Sequence, residues 1–368
     1  MNIIFIDDEV AILRSFKRIL RHLSKQHQIE FVSDSLEAIE LFKTKTYQLI
    51  VSDMKMPEKD GCYVLSEAQK YSPGALRVIL SGYSEQEQSL KASLYAHLFI
   101  AKPFESRAIV ELIERAEGLQ QMGLSEKLLS KLGQLNALPP APKSYRSLTE
   151  ALRAEDNSIT ARDISNLLQQ DMVLVSKILQ LTNSAFFGIP QPINDLERAV
   201  TLLGVEIIKG LILHYELIGK LQDQPEPEPW QKAMYRDSIQ TAQLAKETAL
   251  NSKQSRKIQE SAFLAGLLHD IGRLVLVEQA EAESDMDKLF AEQTGIELCE
   301  LEQQLFGVHH GWVGAYLLKL WGFSDEIVEA VALHHYPLQS EDTCFTPLSA
   351  VHVALDELDD SYLERIGY

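Results

Sequence analysis

The segment Tyr47–Pro57 reads YQLIVSDMKMP and decides the fold of the first third of the chain. It opens with a mostly apolar run, typical of a buried β-strand, and Asp53 follows that run directly. Four similar runs, separated by amphipathic helical patterns, occur within residues 1–118: Asn2–Ile6, Gln28–Val32, Leu76–Leu80 and His97–Ala101. Because strands that alternate with helices are typical of parallel sheets, we predict an α/β, flavodoxin-like domain: a five-stranded parallel sheet with helices on both faces.

Polar side chains follow four of these runs at the point where each run ends. Asp7 and Asp8 follow the first, Asp53 the third, Ser81 the fourth and Lys102 the fifth. Ligands of parallel sheets bind beyond the carboxyl ends of the strands, so we expect these side chains to converge there. Carboxylates that close repel one another unless a cation lies among them, and Mg²⁺ prefers such oxygens. One acid alone could equally cap a helix, but the whole set predicts an aspartate that accepts a phosphoryl group.

Residues 1–118 resemble the receiver domain of two-component response regulators. The matching motifs are FIDDE at 5–9, SDMKMP at 52–57 followed by Asp60-Gly61, LSG at 80–82 and AKPF at 101–104. The resemblance implies that Asp53 is the phospho-acceptor and that a sensor histidine kinase or phosphotransfer protein supplies the phosphoryl group. It also implies Mg²⁺ held by Asp8, Asp53 and the carbonyl of Lys55, with Asp7 acting through water.

The same resemblance implies a conformational switch. Ser81 would be the switch hydroxyl, Phe99 the aromatic ring that changes rotamer, and Lys102 the lysine that binds the phosphoryl group. Phosphorylation adds about −1.5 to −2 charges and would bias the face formed by about residues 84–118. Since that face leads into the next segment, we expect it to control the second half of the chain. The face would also suit a homodimer.

The strand patterns stop after residue 118, and the rest of the chain is predicted to be all-α. A helical linker over 119–137 ends at LPPAP, residues 138–142, where consecutive prolines cannot continue a helix. A second interruption, PEPEP at 225–229, divides the helical half into a lobe over 138–222 and a lobe over 230–340. A C-terminal segment over 341–368 follows.

One predicted helix of the second lobe carries an apolar stripe beside a stripe of small residues. Helical spacing places Asp270 on an apolar stripe, and His269 on an adjoining stripe of small residues with Gly266 and Gly272. Another helix could approach closely along the small stripe.

Further histidines, His310, His334 and His335, also belong to predicted helices with apolar faces. A single histidine at such a position is best explained as a hydrogen-bonded core residue. Together with Asp270 they need partners, and either a metal ion or mutual hydrogen bonds could supply them.

The helical half resembles the HDOD domain, an output domain related to HD hydrolases. The resemblance covers residues 135–213 and 230–336, and its clearest motifs are LLQQD at 167–171, ILQLTNSA at 178–185, AVTLLG at 199–204, GLLHDIGR at 266–273, FGVHH at 306–310 and LHHYP at 333–337. An HD hydrolase also needs a histidine on the preceding helix and a closing aspartate. Here those positions hold Asp237 and Leu355, and Arg273 stands where similar phosphodiesterases have lysine.

Leucine cannot bind a metal, so we expect a degenerate HD site that could still hold one transition metal ion. Its candidate residues are Asp237, His269, Asp270, His310, His334 and His335. The leading hypothesis is therefore a response regulator whose HDOD domain acts mainly through contact with a protein partner. The alternative is a phosphorylation-gated, metal-dependent phosphodiesterase acting on a nucleotide second messenger.

Composition narrows the class of protein. A net charge of −18 disfavours binding to nucleic acid. The three cysteines are far apart, the apolar tract near residues 200–218 contains charged residues, and the opening MNIIFIDDE lacks the apolar stretch of a signal peptide. We therefore expect a cytoplasmic protein without a membrane span.

Overall fold

The computed structural model describes residues 1–81, 95–104, 106–122, 128, 132, 141–153, 159–183, 193–223, 225–226, 228–280, 295–356 and 359–368. The predicted switch face is therefore described from residue 95 onward, and its residues 84–94 lie outside the described ranges. Most of the predicted linker 119–137 also lies outside them.

The N-terminal half is the predicted α/β domain. Five parallel strands form one sheet in the order β2-β1-β3-β4-β5, and each strand begins within two residues of its predicted start. The strands are β1 Asn2–Ile6, β2 Gln28–Val32, β3 Leu49–Asp53, β4 Leu76–Ser81 and β5 Leu98–Ala101; the helices are α1 Val10–Ile19, α2 Ser35–Thr44, α3 Gly61–Tyr71 and α4 Ser106–Gln121, with a 3-10 turn at Leu23–Lys25.

Alternating side chains of the strands build two cores. Ile3 and Phe5 of β1 belong to the core that α1 and α4 cover, whereas Ile4 and Ile6 belong to the core that α2 and α3 cover. Strand side chains alternate between the faces of a sheet, so these near-continuous apolar runs are buried on both sides. The core under α1 and α4 continues into the helical half of the chain.

The C-terminal half is helical throughout its described residues, as predicted. A π-helical turn at Tyr215–Gly219 and a short turn at Lys220–Gln222 extend one helix, and a 3-10 turn lies at Pro337–Gln339. The helices are α5 Lys143–Arg153, α6 Ala161–Leu168, α7 Met172–Thr182, α8 Leu196–Leu203, α9 Val205–His214, α10 Pro229–Asn251, α11 Arg256–Leu268, α12 Ile271–Gln279, α13 Gly295–Phe306, α14 His310–Trp321, α15 Asp325–Leu333, α16 Pro347–Ala354 and α17 Asp360–Ile366.

Helix α14 is the centre of the second lobe. Ten of its twelve residues are buried, as expected of a helix that is apolar on every side. It packs against α12 and α15, and it ends at Gly322, whose positive φ of 87° gives the left-handed cap that glycine favours. The tight packing predicted for the small-residue stripe is confirmed: a Cβ on Gly266 would lie 2.9 Å from the backbone of Ala242.

The segment 341–368 supplies α16 and α17, which pack onto this lobe. Helix α16 contacts α10, α11 and α15, and the hydroxyls of Ser349 and Tyr362 are hydrogen-bonded at 2.8 Å. The helices in the described ranges include none with the length and hydrophobicity to span a membrane.

Candidate functional site

The carboxyl ends of β1, β3 and β5 bring three predicted residues together. Parallel pairing sets Ile6 beside Ser52, so Asp7 and Asp53 leave the sheet at the same edge. The Lys102 ammonium bridges them, with Nζ 2.8 Å from Asp7 Oδ2 and 2.5 Å from Asp53 Oδ1. The predicted convergence at the sheet edge is thus present for both aspartates and the lysine.

We call Asp7, Asp53 and Lys102 together the carboxylate rim, and the charges of its members shift the pKa values of Asp7 and Lys102. Burial raises the pKa of Asp7 above its usual value, although the Lys102 ammonium opposes the effect. Burial alone would lower the pKa of Lys102, but the hydrogen bonds and charges of Asp53 and Asp7 outweigh it and raise that pKa. Two carboxylates share one cation here, and their remaining oxygens suit a hard divalent ion.

Backbone amides hold the two carboxylates in place. The Lys55 N–H donates to Asp53 Oδ2 at 3.0 Å, and the Glu9 N–H donates to Asp7 Oδ1 at 2.9 Å. Asp8 is exposed next to this pair. The carbonyl of Ser81 accepts a hydrogen bond from the Lys102 N–H at 2.7 Å, so the predicted switch hydroxyl belongs to a residue anchored beside the rim.

The predicted switch face contacts the helical half directly. The Arg115 guanidinium on α4 donates to the carbonyl of Leu320 at 2.9 Å. Within the helical half, the Tyr145 hydroxyl on α5 donates to the neighbouring carbonyl of Trp321 at 2.8 Å. Both acceptors lie in the last turn of α14, where helix carbonyls have no partner within the helix. We call the contacts of the receiver with α14, beginning with Arg115 on Leu320, the interdomain contact.

The fifth strand and its flanks belong to the same contact. The imidazole of His97 is buried, lies edge-on to Tyr316 of α14 with ring centroids 6.0 Å apart, and is 2.9 Å from the guanidinium of Arg77 through its Nε2. Phe99, the predicted rotamer switch, lines a small cavity of about 80 Å³ together with Tyr145 and Trp321. The chain from residue 97 to Lys102 therefore runs from the interdomain contact to the carboxylate rim.

The opposite end of α14 enters a buried cluster of histidines and acids. Three imidazoles hold their Nδ1 atoms in hydrogen bonds: His269 to the carbonyl of Gly266 at 2.8 Å, His334 to the carbonyl of Val331 at 2.7 Å, and His310 to Glu302 Oε2 at 2.7 Å. Carbonyl and carboxylate oxygens only accept, so each Nδ1 carries the proton. Each Nε2 is left to face the interior of the cluster.

The Nε2 atoms converge on Asp270. Its Oδ1 lies 3.3 Å from His310 Nε2 and 3.7 Å from His269 Nε2, and His310 Nε2 lies 3.2 Å from His334 Nε2. Lone pairs that face one another and a carboxylate need a cation between them, either a proton or a metal ion.

The pKa shifts of Asp270 and His310 agree with a cation inside the cluster. Burial opposes ionisation of Asp270, but the charges of His269 and Arg273 outweigh it and hold the pKa of that carboxyl well below its usual range. Burial would also lower the pKa of His310, but Glu302 outweighs it and raises that pKa.

Two groups of described residues have donor atoms close enough to share a metal ion. They are Asp270, His310 and His334, and Cys299, His310 and His335. Asp237 belongs to neither group, because its carboxylate is half-exposed and pairs with Arg236 at 3.0 Å. Leu355 packs as a partly buried apolar residue. Asp237 is thus outside both donor groups, although its charge acts on Arg273, which pairs with Asp270 at 3.1 Å.

The sequence reasoning missed Glu302 and Cys299. Glu302 is buried and accepts two hydrogen bonds from His310, one from the backbone N–H at 2.8 Å and one from Nδ1. Both residues lie on the buried face of α13, together with Leu298. The sequence did contain a signal for Glu302, because it follows the apolar Leu298 by four positions and so lies on the same face of the helix.

Comparisons with known proteins agree with the two halves of the structure. The response regulator receiver domain family matches residues 3–114, and the HDOD domain family matches residues 138–337, which is more than half of the chain. An uncharacterized protein of Treponema pallidum is 26% identical over 205 residues, covering 55% of this chain and 38% of that protein. The hydrogenase transcriptional regulatory protein HoxA of Bradyrhizobium diazoefficiens is 28% identical over 125 residues, covering 33% of this chain and 25% of that protein.

An HDOD domain protein of Geobacter sulfurreducens has a similar solved structure, with 23% identity, a TM-score of 0.46, and coverage of 63% of this chain and 75% of that one. The chain spans well under half the length of both curated relatives. With an α/β sheet that carries the receiver motifs and a helical half that carries the HDOD motifs, this chain belongs to the HDOD domain family and bears a response regulator receiver domain in front of its HDOD domain.

Proposed function

We propose that this chain is a response regulator in which phosphorylation of Asp53 controls an HDOD output domain through the interdomain contact. The receiver would occupy residues 1–118 and the output domain residues 138–340. A sensor histidine kinase or a phosphotransfer protein would supply the phosphoryl group. The output domain would act mainly by binding a protein partner.

The supporting observation is the position of β5 and its flanks. Lys102 contacts Asp53 at one end of this segment, and His97 lies against α14 at the other. A phosphoryl group on Asp53 would draw the Lys102 ammonium toward its new oxygens, because charge-assisted hydrogen bonds are short and strong. That movement would be passed along β5 to Phe99 and the interdomain contact.

The residues at the rim fit a magnesium ion. Asp8, Asp53 and the Lys55 carbonyl would hold it, with Asp7 acting through water. Mg²⁺ would neutralise charge on the phosphoryl group as it transfers. The chain's own contribution is to fix the Asp53 carboxylate through the Lys55 N–H and to place the Lys102 ammonium beside it.

Incubation with a small phosphodonor and Mg²⁺ tests the input. The protein should gain the mass of one phosphate, and Asp53→Asn should abolish the gain. Asp34→Asn is a matched control, because Asp34 only caps α2 and asparagine caps helices as well as aspartate does. Phosphate that persists in Asp53→Asn would refute the assignment.

Hydrogen exchange tests the output. Phosphorylation should change exchange in peptides covering residues 95–104 and 310–321 of the wild type and leave them unchanged in Asp53→Asn. Identical exchange with and without phosphate in the wild type would contradict control through the interdomain contact.

A second function, a metal-dependent phosphodiesterase for a nucleotide second messenger, is favoured by the convergence of three Nε2 atoms on Asp270. Asp270, His310 and His334 would hold one transition metal ion, which would polarise a phosphoryl oxygen and activate water. Metal analysis decides between the two functions. Stoichiometric metal that is lost in a His310→Ala/His334→Ala variant, but kept in His22→Ala, would support the enzyme; a folded, metal-free protein would exclude it.

A further inference from the structure

A cavity of about 600 Å³ lies beside the start of α14 and is distinct from the carboxylate rim and the interdomain contact. Its described lining residues come mainly from α13, the loop before α14 and the first turn of α14. Asp270 and His334 of the buried cluster are not among them, whereas Cys299, a possible metal ligand with His310 and His335, is. The volume is in the range of sites that bind small molecules.

Three aromatic rings form part of its wall. The ring centroids of His309 and Trp312 are 6.4 Å apart, and those of His309 and Tyr336 are 5.4 Å apart. His309 is only 7% exposed, and its Nδ1 has no hydrogen-bond partner among the residues that the structure describes. That nitrogen is closed off from solvent, so His309 presents ring surface to the cavity and no Nδ1 hydrogen bond. Aromatic faces of this kind stack on planar rings.

The polar part of the wall determines the chemistry of the ligand. Gln303 and Gln304 offer amide groups that both donate and accept hydrogen bonds. Glu300 is the charged side chain among the described lining residues, which include neither lysine nor arginine. Phosphate groups are bound by cations and repelled by a carboxylate, so this wall disfavours phosphorylated ligands.

We infer that this cavity binds an uncharged purine base or nucleoside, stacked on Trp312 and held at its edge by the glutamine amides. Leu128, which belongs to the segment between the two domains, also lines the cavity. A bound nucleoside would therefore contact both the output domain and the segment that joins it to the receiver.

Calorimetric titration of the full chain with adenosine and guanosine tests the inference. At least one should bind saturably with one molecule per chain, and its 5′-monophosphate should bind at least tenfold more weakly. Trp312→Ala should weaken nucleoside binding about tenfold or more, because a stacked ring is lost, while Trp312→Phe should keep most of the affinity. Trp230→Phe, which alters a tryptophan outside the described cavity wall, should leave the affinity unchanged.

Reversal of the charge at Glu300 tests the inference independently. Glu300→Lys should improve binding of the 5′-monophosphate relative to the nucleoside, whereas Glu297→Lys, an exposed position on the same helix, should not. The inference is overturned by three outcomes: no saturable binding of either nucleoside, equal affinity in folded Trp312→Ala, or a wild-type preference for the monophosphate.

Discussion

Arg115 and Leu320 are 205 positions apart, yet the guanidinium of the first donates to the backbone carbonyl of the second at 2.9 Å. This hydrogen bond joins α4 of the receiver to the last turn of α14 in the HDOD domain. The face predicted to act as the switch is thus in contact with the chain's own output domain. A homodimer that used the same face would have to displace this contact.

Replacement of Arg115 should loosen the interdomain contact. A hydrogen bond to a charged donor contributes about 1.5–3 kcal/mol, and this one is only partly buried. Arg115→Ala should therefore lower the free energy of unfolding by an amount near the lower end of that range, about 1.5 kcal/mol, and speed hydrogen exchange in α14. Arg107→Ala is the matched control, since Arg107 lies on the same helix, is exposed and pairs with Glu111. Such surface pairs contribute about 0–1 kcal/mol. Equal effects of the two changes would contradict the importance of the contact.

The interdomain contact should weaken in mild acid because of His97. Burial, assisted by the charge of Arg77, holds the pKa of His97 well below its usual value of 6.5. A base with a lowered pKa binds fewer protons when buried than when exposed, so its contribution to stability is complete above pH 6.5 and is lost as pH falls toward the lowered pKa. The protection factors of amides in α4 and β5, which correct for the pH dependence of intrinsic exchange, should therefore fall as the pH drops below about 6.5.

Two variants separate this effect from the titration of other histidines. His97→Gln cannot titrate, so its exchange in α4 and β5 should vary less with pH than that of the wild type. His22→Gln, which changes an exposed histidine, should keep the wild-type profile. An unchanged profile in His97→Gln would assign the acid sensitivity to another group.

Glu302 should be essential for the geometry of the histidine cluster. Glu302→Gln should lower the free energy of unfolding by about 1–3 kcal/mol, because both buried hydrogen bonds from His310 end on Glu302 Oε2 and would lose their charged acceptor. If a metal ion is present, its affinity should fall about 10–100-fold. Glu297→Gln on the exposed side of α13 should change neither quantity, as measured by denaturant unfolding and metal titration. A wild-type metal affinity in Glu302→Gln would refute its orienting role.

Gly272 should tolerate no side chain. A Cβ there would lie 2.0 Å from the carbonyl oxygen of His310 and 2.6 Å from the amide nitrogen of Gly314, both backbone atoms of α14. We expect Gly272→Ala to destabilise the protein by about 3 kcal/mol or more. Gly367→Ala meets no neighbouring atom and is strained only by its φ of 70°, so it should lower stability by about 1–2 kcal/mol. Denaturant unfolding compares the two, and equal losses would argue against close backbone packing at Gly272.

The residues that sequence reasoning located correctly are those tied to regular elements. Asp7, Asp53 and Lys102 follow strand ends, and parallel pairing leaves little freedom in where strand ends lie. Asp270, His310 and His334 were selected by helical phase, and they do lie together. The close approach predicted along the small residues is present at Gly266 and Gly272. The single helix predicted to carry them is interrupted, because His269 and Asp270 lie between α11 and α12.

Other features depend on contacts that no local pattern specifies. Asp237 was placed in the cluster by its position in a motif, but its side chain turns toward Arg236. Glu302 reaches His310 across the turn between α13 and α14, so neither helix alone reveals the pair. The hydrogen bond between Arg115 and Leu320 follows from how two separately predicted domains pack, and their sequences carry no periodicity that records it.

Helix α14 has its first residue, His310, in the histidine cluster, and its last turn is hydrogen-bonded to the receiver through Leu320 and Arg115. A helix of this length is a stiff rod about 18 Å long, and at Gly272 its backbone is wedged against α12 without room for gradual sliding. A helix held this way would move as a rigid body between two packed positions, since packed interfaces are bistable and do not deform continuously. A signal that crosses this protein along α14 would therefore be all-or-none, and the histidine cluster would adopt one of two discrete arrangements.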